Sequence, residues 1–363
     1  MNQDPIANSA LAPHEPRRIS TVAPVGGRLG PEPEDFAVDE IPLYQPSGTG
    51  EHLYVRIQKR GLATPDLTRI VGKAARVRER DIGYAGLKDK HAITSQWLSL
   101  PKQALPPEEW ELPDSIQVLE ASWHGNKLRT GHLTGNRFGI TLVDVPEADA
   151  ARAGSLIEGL RRSGLPNYFG EQRFGIEGKN LPQALEWLRR PPAPRRKQSR
   201  FHEKLFPSVL QAEVFNRYLS ARYELGFDRL VQGEVVRLAG SGSVFVVENP
   251  EQEQPRLESA DLVLTGPIFG PRAVAARDRA AELEAEALAP LGLDEAQLDR
   301  LGKSARGTRR DAWLPLDDLS FEPLDATSFR VSFTLPAGSY ATQLVRELTG
   351  GAWLTLRARP QSA

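Results

Sequence analysis

A chain of 363 residues, 40% of them apolar and 26% charged, is long enough for two cores and too apolar for wholesale disorder. It contains no Cys, which excludes disulfides, thiolate metal sites and cysteine nucleophiles and fits a reducing cytoplasm. The net charge of −1 argues against a protein that coats nucleic acid indiscriminately, and no apolar run reaches the length that spans a bilayer.

Residues 1–20 mix Pro, Ala, Asn and Ser without periodicity and read as a flexible tail, lacking the basic-then-apolar pattern of a signal peptide. Phe36, Val38 and Glu40 alternate with their neighbours as a half-buried strand does, and Leu53, Val55 and Ile57 do the same beyond a Gly-rich turn. A helix is then expected, with Thr64 as its cap, Pro65 in the first position and Leu67, Ile70, Val71 and Ala74 on one face. A short strand over 82–85 leads into the loop Gly86-Leu-Lys-Asp-Lys-His91, and a further strand covers 92–100. Phe138, Ile140 and Leu142 alternate next, before a helix over about 149–162.

Beyond Ser163-Gly164 the chain crosses into a second domain, with helices near 208–225 and 277–289 and a short strand at 244–247. Val331, Phe333 and Leu335 then form a late strand, and Ser339 is placed to cap a helix whose Leu344, Val345 and Leu348 face a core. Early and late strands therefore belong to one sheet, which gives an α+β catalytic domain (21–163 and 316–363) interrupted by an inserted domain (164–315). Charge is uneven along this layout. The stretch Leu185 to Lys204 has seven Lys/Arg against two Glu, whereas Glu248 to Arg300 has five Arg against twelve Asp/Glu. A basic segment on a neutral chain suits selective phosphate contact, although a solvated loop gives the same composition.

No Gly-x-Gly-x-x-Gly follows a strand and there is no Walker lysine loop, so a nucleotide cofactor has no support. The six His show no paired zinc spacing, and no nucleophile elbow is present. What remains is Tyr84-Ala-Gly-Leu-Lys-Asp-Lys-His-Ala-Ile-Thr-Ser-Gln-Trp97, in which Asp89 sits between two lysines on a Gly-containing loop flanked by strands. An ionised carboxylate in a positive setting is what nucleophilic or base chemistry needs at neutral pH. An Asx turn with solvated lysines fits the same residues.

This segment resembles the signature of the TruD family of tRNA pseudouridine synthases, in which the Asp of an Ala-Gly-x-Lys-Asp loop is catalytic. Four further regions resemble the family in its order: Pro33 to Glu40 with Gly48 to His52, Lys127 to Phe138, Gly164 to Gly175, and Leu335 to Leu348. The resemblance implies the mixed-sheet pseudouridine synthase fold with an inserted α/β TRUD domain that forms the other wall of an RNA cleft. It implies that uridine in tRNA, at position 13, is converted to pseudouridine through Asp89, without metal or cofactor, in the cytoplasm. By motif position Phe36 and Tyr340 resemble residues that flank the flipped uracil, Asn136 and Phe138 resemble site wall, and Lys88 is a substrate-binding candidate; for Phe138 a core position fits equally. Arg129, Arg137, Arg173 and the run with Arg195, Arg196 and Lys197 are the candidate phosphate contacts. Two departures stand out. Tyr340 occupies a position that is sometimes Phe, and the family's Lys before Pro-Glu-Asp-Phe is absent, leaving either Arg28 or another cation to serve Asp89. A non-catalytic RNA binder and a base-removing hydrolase are the rival readings.

Overall fold

The computed structural model describes residues 11–190, 200–302 and 304–351, which divide into two units. One comprises residues 20–164 and 316 onward, the other 165–315 together with the chain up to Ile19. The segment expected as a flexible tail is therefore corrected from residue 11 on. Leu11 packs against the apolar core of the second unit, the His14 N–H donates to the Glu213 carboxylate (2.9 Å), and its Nε2 meets Ser220 Oγ at 2.7 Å. Proline and asparagine content hid these side-chain anchors.

The first unit is a nine-stranded mixed sheet. Its early elements are β1 (Arg28–Leu29), β2 (Phe36–Pro42), β3 (His52–Arg60), α1 (Thr64–Ala74), β4 (Gly83–Tyr84), β5 (Ile93–Pro101), β6 (Ile116–His124), β7 (Leu133–Val143) and α2 (Glu147–Ser163). After the insertion come β8 (Ser320–Asp325), β9 (Ser328–Pro336) and α3 (Ala341–Thr349). The strand order is β8-β9-β7-β2-β5-β3-β6, with β1 on β7 and β4 on β5. All pairings are antiparallel except β2 with β5. Leu53, Val55 and Ile57 of β3 and Leu98 and Leu100 of β5 pack on Leu67 and Val71 of α1, so the alternation read from sequence is the core face of the sheet.

Two expected helix caps are not caps. The residue before α1 is Ala63 and that before α3 is Tyr340, neither with a side-chain cap. The Thr64 hydroxyl has gone elsewhere: it accepts the Lys88 N–H (2.9 Å) and donates to Gln96 Oε1 (3.0 Å). Leu344, Val345 and Leu348 of α3 are buried, and Gly350, at φ 75°, ends the helix in the left-handed region.

The second unit pairs a four-stranded antiparallel sheet (244–246, 235–238, 262–268, 308–311) with the long helix Arg200–Tyr223. At its root, Leu165–Pro166 and Trp313–Leu314 form a two-stranded ladder with Leu165 opposite Leu314. The unit thereby joins its own two ends.

Candidate active site

Along one edge, β5 changes partner. Residues 93–95 pair with β2 and residues 98–99 with β4, leaving the edge open at Gln96 and Trp97. Glu40, near the end of β2, fills the opening, because its Oε1 accepts the Trp97 N–H at 3.1 Å in place of a neighbouring strand. Its Oε2 receives Lys88 Nζ at 2.5 Å, in an ion pair whose side chains are 1% and 5% exposed. Lys88 was expected to face substrate; it is instead turned inward, because a buried Glu40 must be paired.

The loop from Tyr84 to His91 is thus held along its length. Ala85 O accepts the Gly131 N–H (2.8 Å), Lys88 is tied by its N–H to Thr64 and by its ammonium to Glu40, and Asp89 O accepts Lys59 Nζ at 2.8 Å. Lys59 is fully buried (0% exposed) and also donates to Leu62 O. Burial pushes its ammonium down to about 8, with the like charge of Lys88 adding to the fall and Asp89 opposing it. Asp89 itself is exposed, and its Oδ1 accepts the His91 N–H at 2.9 Å. The loop is therefore an Asx turn that presents its carboxylate to solvent; of the two lysines expected to be solvated, Lys90 is exposed and Lys88 is buried.

On the sheet face that carries Glu40, register aligns the other expected residues in two rows. Val38 lies opposite Phe138, and Phe138 opposite Phe333; Glu40 lies opposite Asn136, and Asn136 opposite Leu335. Phe36 begins the same face, stacked on Phe138 at 6.4 Å between centroids, and Phe138 stacks on Phe333 at 5.4 Å. Phe138 is 8% exposed and is mainly a core residue, whereas Phe36 is half-buried. Asn136 Oδ1 is buried without a hydrogen-bond partner, as are Thr94 Oγ1 and Gln96 Nε2 on β5, two strands away. Tyr340 is half-buried and sits immediately before α3.

The cationic candidates disperse. Arg28 pairs with Asp144 (2.5 Å) where β1 meets Val143, and is engaged there rather than at Asp89. Arg137 alternates with Asn136 and Phe138, so it projects from the opposite face of β7, where it is exposed. Arg129 is exposed in the 125–131 loop, whose Gly131 is tied to Ala85. Arg173 belongs to the second unit and donates to Ser208 Oγ at 3.3 Å. Arg195, Arg196 and Lys197 lie outside the described residues. Sequence reasoning missed Lys59, Glu40 as an ion-pair partner, and Gln96. One signal for Lys59 was available: it follows Leu53, Val55 and Ile57 in phase, where an apolar residue is expected. Among the described residues no cluster of three or more His, Asp or Glu is arranged to hold a metal, and no helix is long and apolar enough to cross a membrane.

A family model described as tRNA pseudouridine synthase D (TruD) matches residues 17–181 and 198–348. The tRNA pseudouridine synthase D of Anaeromyxobacter sp. (strain Fw109-5) is 42% identical over 327 residues, covering 89% of this chain and 92% of that protein. A counterpart in Thermus thermophilus is 37% identical over 329 residues, covering 89% of each. The crystal structure of a putative tRNA pseudouridine synthase D from Methanosarcina mazei superposes with a TM-score of 0.72 at 24% identity, over 91% of this chain and 95% of that one. That likeness shows the mixed-sheet α+β fold expected from the sequence.

Proposed function

The chain belongs to the tRNA pseudouridine synthase D (TruD) family, and on that premise we propose that it isomerises uridine 13 of tRNA with Asp89 as the catalytic carboxylate. It is a tRNA pseudouridine synthase, an isomerase that converts uridine to pseudouridine. The N1–C1′ bond breaks, the base turns, a C5–C1′ bond forms, the C5 proton leaves and N1 takes up a proton from solvent. Substrate and product have the same atoms, so the reaction balances without a second reactant. Asp89 attacks C1′ or C6 or takes a sugar proton; each role needs an ionised carboxylate that reaches a base drawn out of its stack.

One observation carries the assignment. The loop's main chain and Lys88 are fixed by buried partners (Thr64, Glu40, Lys59), yet the Asp89 carboxylate is exposed. A group presented on so well-braced a loop is pre-organised for chemistry at small entropic cost. The half-buried Phe36 ring supplies a stacking face for the extruded base, and the unpartnered Asn136 Oδ1 suits the uracil N3–H. Exposed Arg129 and the basic run through Arg195, Arg196 and Lys197 supply phosphate contacts, and the reaction takes place in the cytoplasm, where tRNA is used.

The test is Asp89→Asn. Asn keeps the size and the acceptor for the His91 N–H but lacks the charge. The variant is expected to fold, to bind tRNA with near-native affinity, and to release no tritium from 5-tritiated uridine in single turnover. Release near the wild-type rate would mean that another residue does the chemistry. Mapping the modified position in a full-length tRNA decides whether uridine 13 is the target.

A further inference from the structure

We propose that Lys59 is the positioning residue for Asp89, fixing its main chain through the carbonyl oxygen and supplying the positive charge that keeps the adjacent carboxylate ionised once RNA covers the site. This rests on the reading of Asp89 as the catalytic carboxylate.

A fully buried ammonium is among the most expensive groups a fold can hold, and it persists only where something compensates it. The hydrogen-bond partners of Lys59 Nζ are two main-chain carbonyls, Leu62 O and Asp89 O, rather than a carboxylate. Two neutral donors could bridge the same carbonyls without the desolvation of a charge, so bridging alone does not account for a lysine here. Its place in the strand makes the same point. Val55 and Ile57, the preceding residues on that face, are buried under α1, and an apolar residue at 59 would continue their stripe.

The charges around it are few. Asp89 raises the affinity of Lys59 for its proton, and Lys88, itself neutralised by Glu40, lowers it. The register partners of Lys59 on β5 and β6 are Thr94 and Ile116, which carry no charge. Asp89 is thus the acidic group that benefits from Lys59, while Glu40 is satisfied by Lys88. Two lysines divide the work: one holds the β2–β5 junction through Glu40, the other serves the presented aspartate. Arg28, engaged by Asp144 at the far end of β7, is not needed for this.

The experiment uses the full chain with Lys59→Met, which keeps length and apolar bulk and removes the charge. Its single-turnover rate is expected to fall about 100-fold, with tRNA affinity within about threefold of wild type. The wild-type rate should decline as pH rises through about 8, where Lys59 loses its proton, and that decline should be absent from the residual activity of the variant. A purely structural lysine would produce no such limb. A folded Lys59→Met protein with the wild-type rate overturns the proposal. If the variant does not fold by thermal melt, the wild-type profile decides alone: a rate that stays flat from about pH 7 to 9.5 overturns it. Asp89→Asn is run alongside. Activity there sinks the underlying assignment, whereas an inactive Asp89→Asn beside a fully active Lys59→Met sinks only the role of Lys59.

Discussion

The Lys88–Glu40 pair gives the sharpest energetic test of how the loop is held. Lys88→Met removes the ammonium 2.5 Å from Glu40 Oε2 and strands a carboxylate whose side chain is 1% exposed, leaving it only the Trp97 N–H at 3.1 Å. Breaking a buried pair from one side costs about 3–5 kcal/mol, because the surviving charge stays desolvated. The remedy follows from the same geometry. Glu40→Gln added to Lys88→Met removes the stranded charge yet keeps an oxygen for Trp97, so the double variant should recover most of the loss. Urea unfolding at constant slope measures both steps, and hydrogen exchange at the β5 amides locates them in this sheet. If Lys88→Met costs less than about 1 kcal/mol, or the double variant is no more stable than the single, the pair does not brace the loop as argued.

The aromatic pair should split by burial. Phe138→Ala is expected to lose about 3–5 kcal/mol of stability, while Phe36→Ala melts closer to wild type but slows single turnover with little change in tRNA affinity; equal destabilisation would make Phe36 a core residue. Lys59 gives stability a pH dependence of defined sign. Its folded value of about 8 lies below the ordinary 10.5, so within that window the unfolded chain binds the extra proton and stability rises with pH. The rise is on the order of 3 kcal/mol from this group, and urea midpoints at the two ends of the window should show it in wild type and not in Lys59→Met. Neutralising Arg195, Arg196 and Lys197 should flatten the dependence of log affinity on log salt by about 0.7–0.9 per lost phosphate contact; an unchanged slope would make the run a solvated loop.

The elements legible in the sequence are those whose side chains alternate against a core. Phe36, Val38 and Glu40, then Leu53, Val55 and Ile57, then Val331, Phe333 and Leu335 lie on the strands the periodicity marks. β6 and β8 escaped because they are the edge strands of the sheet: Ile116–His124 is mostly open to solvent, and Ser320–Asp325 contains Pro323. Thr64 was misread for another reason. A hydroxyl before a Pro has a local use as a cap, and nothing local says that a loop 24 residues on will claim it. Lys88 and Lys90 stand equally close to Asp89 in sequence, yet Lys88 is buried against Glu40 and Lys90 is exposed. Lys59, 30 residues away, is the cation whose ammonium reaches the Asp89 main chain. Such relations come from tertiary pairing, which a lone sequence encodes only as a misplaced polar residue in an apolar stripe.

The small ladder at the root of the inserted unit bears on how the polypeptide assembles. Strand β9 pairs with β7 across an interval of 185 residues from Val143 to Ser328, and an open loop of that length is slow to close. With Leu165 already opposite Leu314, the chain still to be closed is 22 residues on one side and 14 on the other, 36 in all. Closing 36 residues instead of 185 lowers the entropic cost by about 1.4 kcal/mol, close to tenfold in the chance that the ends meet. During synthesis the insertion emerges before β8, β9 and α3, so it can fold while the catalytic sheet still waits for its last strands. A mutation that opens this root ladder would then be felt as late, inefficient maturation of the other unit.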